Sequence, residues 1–220
     1  ALKTSLRPKI RGSNTRPIMQ SKSYSLELGG RQMTAEFTDL AEQASGSVIL
    51  RYGNTAVLAT AVMSSKTRDD IDYFPLTVDY EERFYAAGRI LGSRFIKREG
   101  RPSEQAILSG RVIDRTIRPL FPSHIRNEVQ VVITVLSLDQ DDPDMVAVNA
   151  ASLAIATSDI PWSGPVAAVR IGKQGGGNFI INPTYAERDS SETTLDILAC
   201  GKDSTINMIE VGAKEASEKE

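Results

Sequence analysis

The sequence predicts an α+β fold, a mixed sheet packed with helices, and three observations predict it. Period-two alternation and short apolar runs recur between turn signals along most of the chain, marking about ten strands. Two stretches, beginning at Pro102 and at Asp142, carry instead a helical stripe or a small-residue run behind a capping residue. With 220 residues and 40% hydrophobic side chains, the chain can bury a core under such a sheet.

Residues 1–23 hold six basic residues and no acid, with Ser, Thr and Pro among them and no apolar segment of the kind a secretory signal needs. They read as a basic, flexible N-terminal arm, with an organellar transit remnant as the open alternative. From Tyr24 the pattern alternates: Tyr24-Ser-Leu26-Glu-Leu28, a Gly29-Gly30 turn and Met33-Thr-Ala35-Glu-Phe37 predict a hairpin with one buried face. Ser47 to Tyr52, the Gly53-Asn54 turn and Thr55 to Met63 predict a second hairpin. Its second strand is apolar at nearly every position, the pattern of a central strand covered on both faces. Tyr73 to Tyr80 continues the sheet.

Glu81 to Arg101 has three glycines and no strong period, so it reads as a long loop, and such loops tend to carry function. Pro102-Ser103-Glu104 opens a helix with Ser103 as cap, closed near Ile117 by Pro119 and Pro122. Ala106, Gly110, Ile113 and Ile117 fall on one stripe of it, facing the sheet. Val129 to Leu138 reads as a buried strand. Asp142 and Pro143 start a second helix, as cap and first helical residue, and its small residues from Ala147 to Ala156 suit close packing on a sheet. Val166 to Ile171, Asn178 to Ile181, Leu195 to Cys200 and Thr205 to Val211 are further strands. The domain is expected over 24–213. Residues 214–220 read as the start of a truncated helical linker, so the chain is expected to be a fragment.

Composition narrows the chemistry. One cysteine, Cys200, in an apolar strand excludes an internal disulfide and any cysteine-based metal cage. One histidine, His124, in a proline-flanked loop leaves no His-rich acid–base constellation. No metal site is expected, and no run approaches the roughly 18 apolar residues of a spanning helix, so no membrane partner is expected. Any chemistry would have to use carboxylates, arginines or backbone dipoles.

The net charge of -2 hides an uneven distribution. Between Arg83 and Arg118 lie nine basic residues and three acids, eight of the nine being Arg, with Phe84, Tyr85 and Phe95 interleaved. Arginine suits bidentate phosphate contact and aromatic rings stack unpaired bases, so phosphate or RNA fits the stretch. Arg111, Arg115 and Arg118 share one helix stripe, which is equally the pattern of a solvated face or an interface ladder. Asp139, Asp141, Asp142 and Asp144 could hold a divalent cation, but they lack the spacing of a calcium loop; a capping Asp142 with neighbours that favour the helix dipole explains them more simply. Asp196 stands in a strand with no evident partner.

The loop and helix carry a set of ordered motifs: Phe74-Pro75-Leu76-Thr77-Val78-Asp79-Tyr80-Glu81-Glu82-Arg83, then Ala86-Ala87-Gly88-Arg89-Ile90, then Lys97-Arg98-Glu99-Gly100-Arg101-Pro102-Ser103, then Ile113-Asp114-Arg115-Thr116-Ile117-Arg118-Pro119-Leu120-Phe121-Pro122. Asn127-Glu128-Val129-Gln130, Asp142-Pro143-Asp144, Ser158-Asp159-Ile160-Pro161-Trp162 and Gly164-Pro165 follow in order. Over about residues 24 to 213 this resembles the polynucleotide phosphorylase family, specifically its first ribonuclease PH-like domain. The fold so implied is ribonuclease PH-like, that of ribosomal protein S5 domain 2.

The resemblance implies part of an enzyme that degrades single-stranded RNA from the 3′ end by phosphorolysis, with inorganic phosphate as attacking group and Mg²⁺ as cofactor. It implies a homotrimeric ring, and a bacterial cytoplasm or an organelle as its place. In that family the chemistry belongs to the second such domain. There, serines before the second helix hold phosphate, and two aspartates and a lysine hold the metal and the leaving oxygen. Here Asp142-Pro143-Asp144 stands where those serines would be, and carboxylates repel phosphate. Asp196 matches one aspartate, while Ser190 and Leu198 stand for its partner and the lysine, so no catalytic residue is assigned and Asp196 is a degenerate remnant. Phe95-Ile96-Lys97-Arg98 is similar to the family's constriction loop, which threads single-stranded RNA. RNA contact is therefore expected from Phe95, Ile96, Lys97, Arg98 and Arg101, with Arg89, Arg111, Arg115 and Arg118 as RNA or interface residues. No cofactor is expected on this domain. The rival readings are a self-sufficient phosphorolytic exonuclease and a purely structural ring subunit.

Overall fold

The alternating segments pair into two sheets. A computed structural model describes residues 21–68, 70–90, 100–175, 177–214 and 216. β1 (Ser21–Leu28), β2 (Arg31–Thr38), β3 (Gly46–Tyr52), β4 (Thr55–Thr67), β5 (Leu76–Glu81) and β6 (Asn127–Ser137) form a six-stranded sheet in the order β1-β2-β3-β4-β6-β5. All neighbours are antiparallel except β5 and β6, which run parallel because the loop and the first helix carry the chain back before β6 begins. β7 (Ala167–Gln174), β8 (Phe179–Ile181), β9 (Thr193–Lys202) and β10 (Thr205–Ala213) form an antiparallel four-stranded sheet in the order β10-β9-β7-β8.

Two helices join the sheets. α1 (Glu104–Ile117) packs on β5 and β10, and α2 (Pro143–Ala156) packs on β3, β4 and β6 on one side and on β7 on the other. Their ends follow the sequence signals: Ser103 accepts from the Ala106 amide at 3.0 Å, and Asp142 accepts from the Asp144 amide at 2.9 Å with Pro143 behind it. Ala106, Gly110, Ile113 and Ile117 are all buried, as their stripe requires.

α2 is buried almost all round because it lies between two sheets, and its small residues allow the close approach. A Cβ added to Gly46 of β3 would sit 2.1 Å from the Ala154 carbonyl oxygen, so β3 passes α2 backbone to backbone. The polar residues of α2 serve the second sheet. Asn149 donates to the Ala168 carbonyl at 3.0 Å and accepts from its amide at 3.1 Å, and Ser152 accepts from the Val166 amide at 2.9 Å. They satisfy backbone groups where β7 begins, which a wholly apolar helix would leave bare.

Three expectations are corrected. The first hairpin buries one strand only: Met33 and Ala35 of β2 lie in the core, whereas Tyr24 and Leu26 of β1 are exposed. β1 is the sheet edge, and α2 packs mainly on the central strands. Beyond its buried start at Thr55 and Ala56, β4 is fully buried only on the face of Val57, Ala59 and Ala61, which the helices cover; Leu58 and Thr60 opposite are half-buried and Val62 is exposed. A third helix, α3 (Tyr185–Arg188), appears in addition to the two expected. Cys200 is buried and His124 is exposed, as read from their surroundings. Among the described residues, no helix is long and apolar enough to cross a membrane.

Candidate functional site

Two regions bear on function: the basic loop with α1, and the N-terminus of α2. In the first, the chain leaves β5 through a 3-10 turn, Phe84–Ala87, closed by Gly88 in the left-handed region at φ 66°, whose amide reaches back to the Phe84 and Tyr85 carbonyls. Phe84 and Tyr85 are left exposed on that turn, and Arg89 and Arg101 are exposed on either side of the segment 91–99. Phe95, Ile96, Lys97 and Arg98 lie outside the described residues.

The arginine stripe of α1 divides. Arg118 donates to both oxygens of Asp114, at 2.6 and 2.9 Å, and to the carbonyls of Phe74 and Leu76 at 3.2 and 3.1 Å. Its guanidinium fastens α1 to the entry of β5. Arg115 pairs with Glu210 of β10 at 3.1 Å. Arg111 is exposed. Arg118 therefore serves the fold, while Arg111 and Arg115 both face water, Arg115 with a partner in Glu210.

At the α2 N-terminus Asp142 caps the helix and Asp144 lies in its first turn, as expected, and Asp141 and Asp142 are in addition held in ion pairs. Asp142 is 8% exposed; one oxygen caps the helix while the other accepts from Arg188 at 2.8 Å and from Arg170 of β7. Arg170 also places Nε 3.3 Å from Asp196 Oδ1, so Asp196 has the partner the sequence did not reveal. Burial lowers the pKa of Arg170, and the Asp196 carboxylate opposes that shift. Next to it, Asp141 pairs with Arg31, which donates as well to the Asn182 carbonyl and lies 4.9 Å from the centre of the Tyr52 ring.

The segment 182–188 closes over this end of the helix. Asn182, at φ 50°, accepts from the Arg170 amide through Oδ1 at 2.9 Å. The Tyr185 amide donates to the Gln140 carbonyl at 2.9 Å. Thr184 and Glu187 cap α3 reciprocally, and the Thr184 amide holds the Glu187 carboxyl below the usual carboxylate range. The Thr184-to-Glu187 spacing was the one sequence signal that could have found α3. Asp144 points elsewhere: burial raises its pKa, eased by the nearby Ser109 hydroxyl. Burial raises Tyr80 well above the usual tyrosine range too, with Asp144 adding to the shift.

Of the two carboxylates expected to repel phosphate there, Asp142 is paired rather than bare. Two guanidinium groups neutralise Asp142 and Asp196, and the end of α2 is filled by its own cap and two arginines. Ser190 accepts from the Glu192 amide at 3.3 Å, and Leu198 is buried in the core. Among the described residues no hydroxyl pair is presented at the helix end, and carboxylates held by arginines do not fit a divalent cation. Among the described residues no group of three or more potential metal ligands occurs.

Residues 29–161 match the 3′ exoribonuclease family, domain 1, and residues 164–220 match domain 2 of that family. The chain is 53% identical over 199 residues to a polyribonucleotide nucleotidyltransferase of Exiguobacterium sibiricum, covering 90% of this chain and 26% of that protein. It is 54% identical over 196 residues to the enzyme so named from Desulforamulus reducens, covering 89% of this chain and 26% of that one. It is 54% identical over 200 residues to that of Pseudothermotoga lettingae, covering 90% and 28%. The chain thus spans about a quarter of the length of these curated relatives. Among solved structures it is similar to rice (Oryza sativa) Rrp46, with a TM-score of 0.65 at 16% identity over 94% of this chain and 86% of that one, a likeness of fold.

Proposed function

This chain belongs to the 3′ exoribonuclease family, and from that premise we propose that it is the RNA-threading, non-catalytic core domain of a longer polyribonucleotide nucleotidyltransferase that degrades RNA phosphorolytically from the 3′ end. The ribonuclease PH-like fold and the bacterial relatives named polyribonucleotide nucleotidyltransferase support the reading. The observation that carries the non-catalytic assignment is the ion-pair network of Asp142, Arg170, Arg188 and Asp196, in which Arg170 Nε and Asp196 Oδ1 are in charge contact without a hydrogen bond. A phosphate would have to displace a buried carboxylate that already pairs with two arginines, and that exchange leaves a buried charge unpaired. Mg²⁺ and phosphate would then serve a site elsewhere in the longer polypeptide.

The threading role rests on charge and exposure. Arg89, Arg101 and Arg111 are exposed, as are the rings of Phe84 and Tyr85, residue types that suit phosphates and unpaired bases. Lys97 and Arg98, with Phe95 and Ile96, would complete it by the resemblance already described, in a homotrimer whose three copies surround one channel in the bacterial cytoplasm. The pairing of Arg115 and Arg118 within the chain favours the structural reading for those two residues.

The test is to incubate the purified chain with 5′-labelled single-stranded RNA and Mg²⁺, with and without inorganic phosphate. RNA retention without phosphate-dependent shortening is expected. Release of nucleoside diphosphates only when phosphate is present would show a working site in this domain and overturn the assignment.

A further inference from the structure

β5 ends at Glu81 and α1 begins at Glu104, and a side-chain contact joins the two ends of the segment between them. The Ser103 hydroxyl donates to Glu82 Oε2 at 2.6 Å and accepts from the Ala106 amide at 3.0 Å. Its single proton is thus committed to Glu82, and the carboxylate acceptor makes that bond short and charge-assisted. Glu82 therefore holds the cap of α1, although the two residues stand 21 positions apart.

Each stem carries a different kind of RNA-binding group. On the β5 side the turn Phe84–Ala87 is fixed in place. The Gly88 and Arg89 amides donate back to the Tyr85 and Phe84 carbonyls at 3.0 Å each, and the Leu138 amide donates to the Ala86 carbonyl at 2.9 Å. From that turn Phe84 and Tyr85 present exposed rings. On the α1 side Arg101 is exposed, and Pro102 beside it has no amide with which to anchor this stem. Phe84 lies two residues from Glu82, and Arg101 two residues from Ser103, so each is within about 7 Å of its end of the contact. The Glu82–Ser103 bond thereby brings stacking rings and a guanidinium from two distant stretches of sequence into one neighbourhood.

We propose, building on the RNA reading above, that Glu82 is a positioning residue for RNA. By holding Ser103 it keeps Arg101 in register with the Phe84–Tyr85 turn, so that one unpaired strand stacks on the rings while its backbone meets the guanidinium. A stem placed before RNA arrives spares part of the ordering cost of binding. Charge and geometry pull in opposite directions at this residue. As a bare carboxylate Glu82 would repel phosphate, and its removal would tighten binding; as a positioning group its removal loosens binding. The sign of the effect separates the two.

The experiment measures the affinity of the 220-residue chain for a labelled single-stranded RNA by fluorescence anisotropy, in E82A, E82Q, R101A, F84A/Y85A and E82A/R101A. E82A is expected to bind about three- to tenfold more weakly, with a urea midpoint near that of wild type because the contact is exposed. E82Q keeps an acceptor for the Ser103 hydroxyl and sheds the charge, so it is expected to recover the lost affinity. In the R101A background E82A is expected to change little, since Glu82 acts through Arg101. Should E82A also lose stability, this non-additivity still decides, because a general loss of fold weakens both backgrounds alike. Unchanged or tighter binding by E82A, while R101A and F84A/Y85A weaken it, would overturn the proposal and leave the RNA reading standing. Unchanged binding in both R101A and F84A/Y85A would overturn the RNA reading and this proposal with it.

Discussion

Arg170 Nε lies 3.3 Å from Asp196 Oδ1 while Nη1 of the same guanidinium pairs with Asp142. One side chain of β7 thereby ties the middle of β9 to the first turn of α2. Arg188 completes the arrangement from α3, so four elements meet at two carboxylates. Removing Asp142 takes away the helix cap and strands two guanidinium groups in a site where Arg170 is 11% exposed. Asp142→Ala is expected to cost about 3–5 kcal/mol, read from the midpoint of urea unfolding. Asp142→Asn, which keeps a capping oxygen, is expected to cost less.

Asp144 gives a pH dependence of defined sign. Its pKa is raised in the folded chain, chiefly by burial, with Glu210 and Glu82 adding to the shift and Ser109 and Arg188 opposing it. The folded state therefore holds this proton more tightly than the unfolded state does. The resulting cost is absent below the ordinary carboxylate range and grows as pH rises through that range toward the folded value. Asp144→Asn removes the cost. Its stability relative to wild type is expected to increase from acid to neutral pH in a series of urea titrations, and a difference that stays flat or falls would refute the assignment.

Arg118 tests whether the α1 stripe serves the fold. It donates to two backbone carbonyls as well as to Asp114, and it is partly open to water, so the carbonyl bonds count for more than the ion pair. Arg118→Ala is expected to cost about 1–2 kcal/mol in urea unfolding and to leave RNA affinity unchanged. Arg118→Lys is expected to recover little, because an ammonium cannot span Asp114 and both carbonyls.

RNA contact has its own signature in salt dependence. If Lys97 and Arg98 touch phosphates, Lys97→Ala with Arg98→Ala is expected to lower the slope of log affinity against log salt by about 1.4. Arg115→Ala, which breaks an exposed pair with Glu210, is expected to leave that slope unchanged. Fluorescence anisotropy with a labelled single-stranded RNA at several salt concentrations separates the two outcomes. An unchanged slope in the double variant would assign these residues to structure.

Much of the fold was legible because its signals are local. Tyr24 to Phe37 alternates and pairs as a hairpin, Ser103 and Asp142 cap the helices they precede, and Gly53-Asn54 turns β3 into β4. How much of each strand is covered was less legible. The alternation of β1 and the apolar run of β4 promised more burial than the helices supply, because coverage depends on which elements lie opposite.

The site shows the same division. The sequence by itself determined the alternation, the caps, the family motifs and the concentration of arginine between β5 and the end of α1, since each is written within a few neighbouring residues. Only the tertiary structure decided that Asp196 and Asp142 share Arg170, and that Arg118 is spent on α1 while Arg111 faces water. Those relations join residues far apart in the chain. A charge pair or a covered face exists only once strand pairing and helix packing have set the distance between its parts, and no local period encodes that distance.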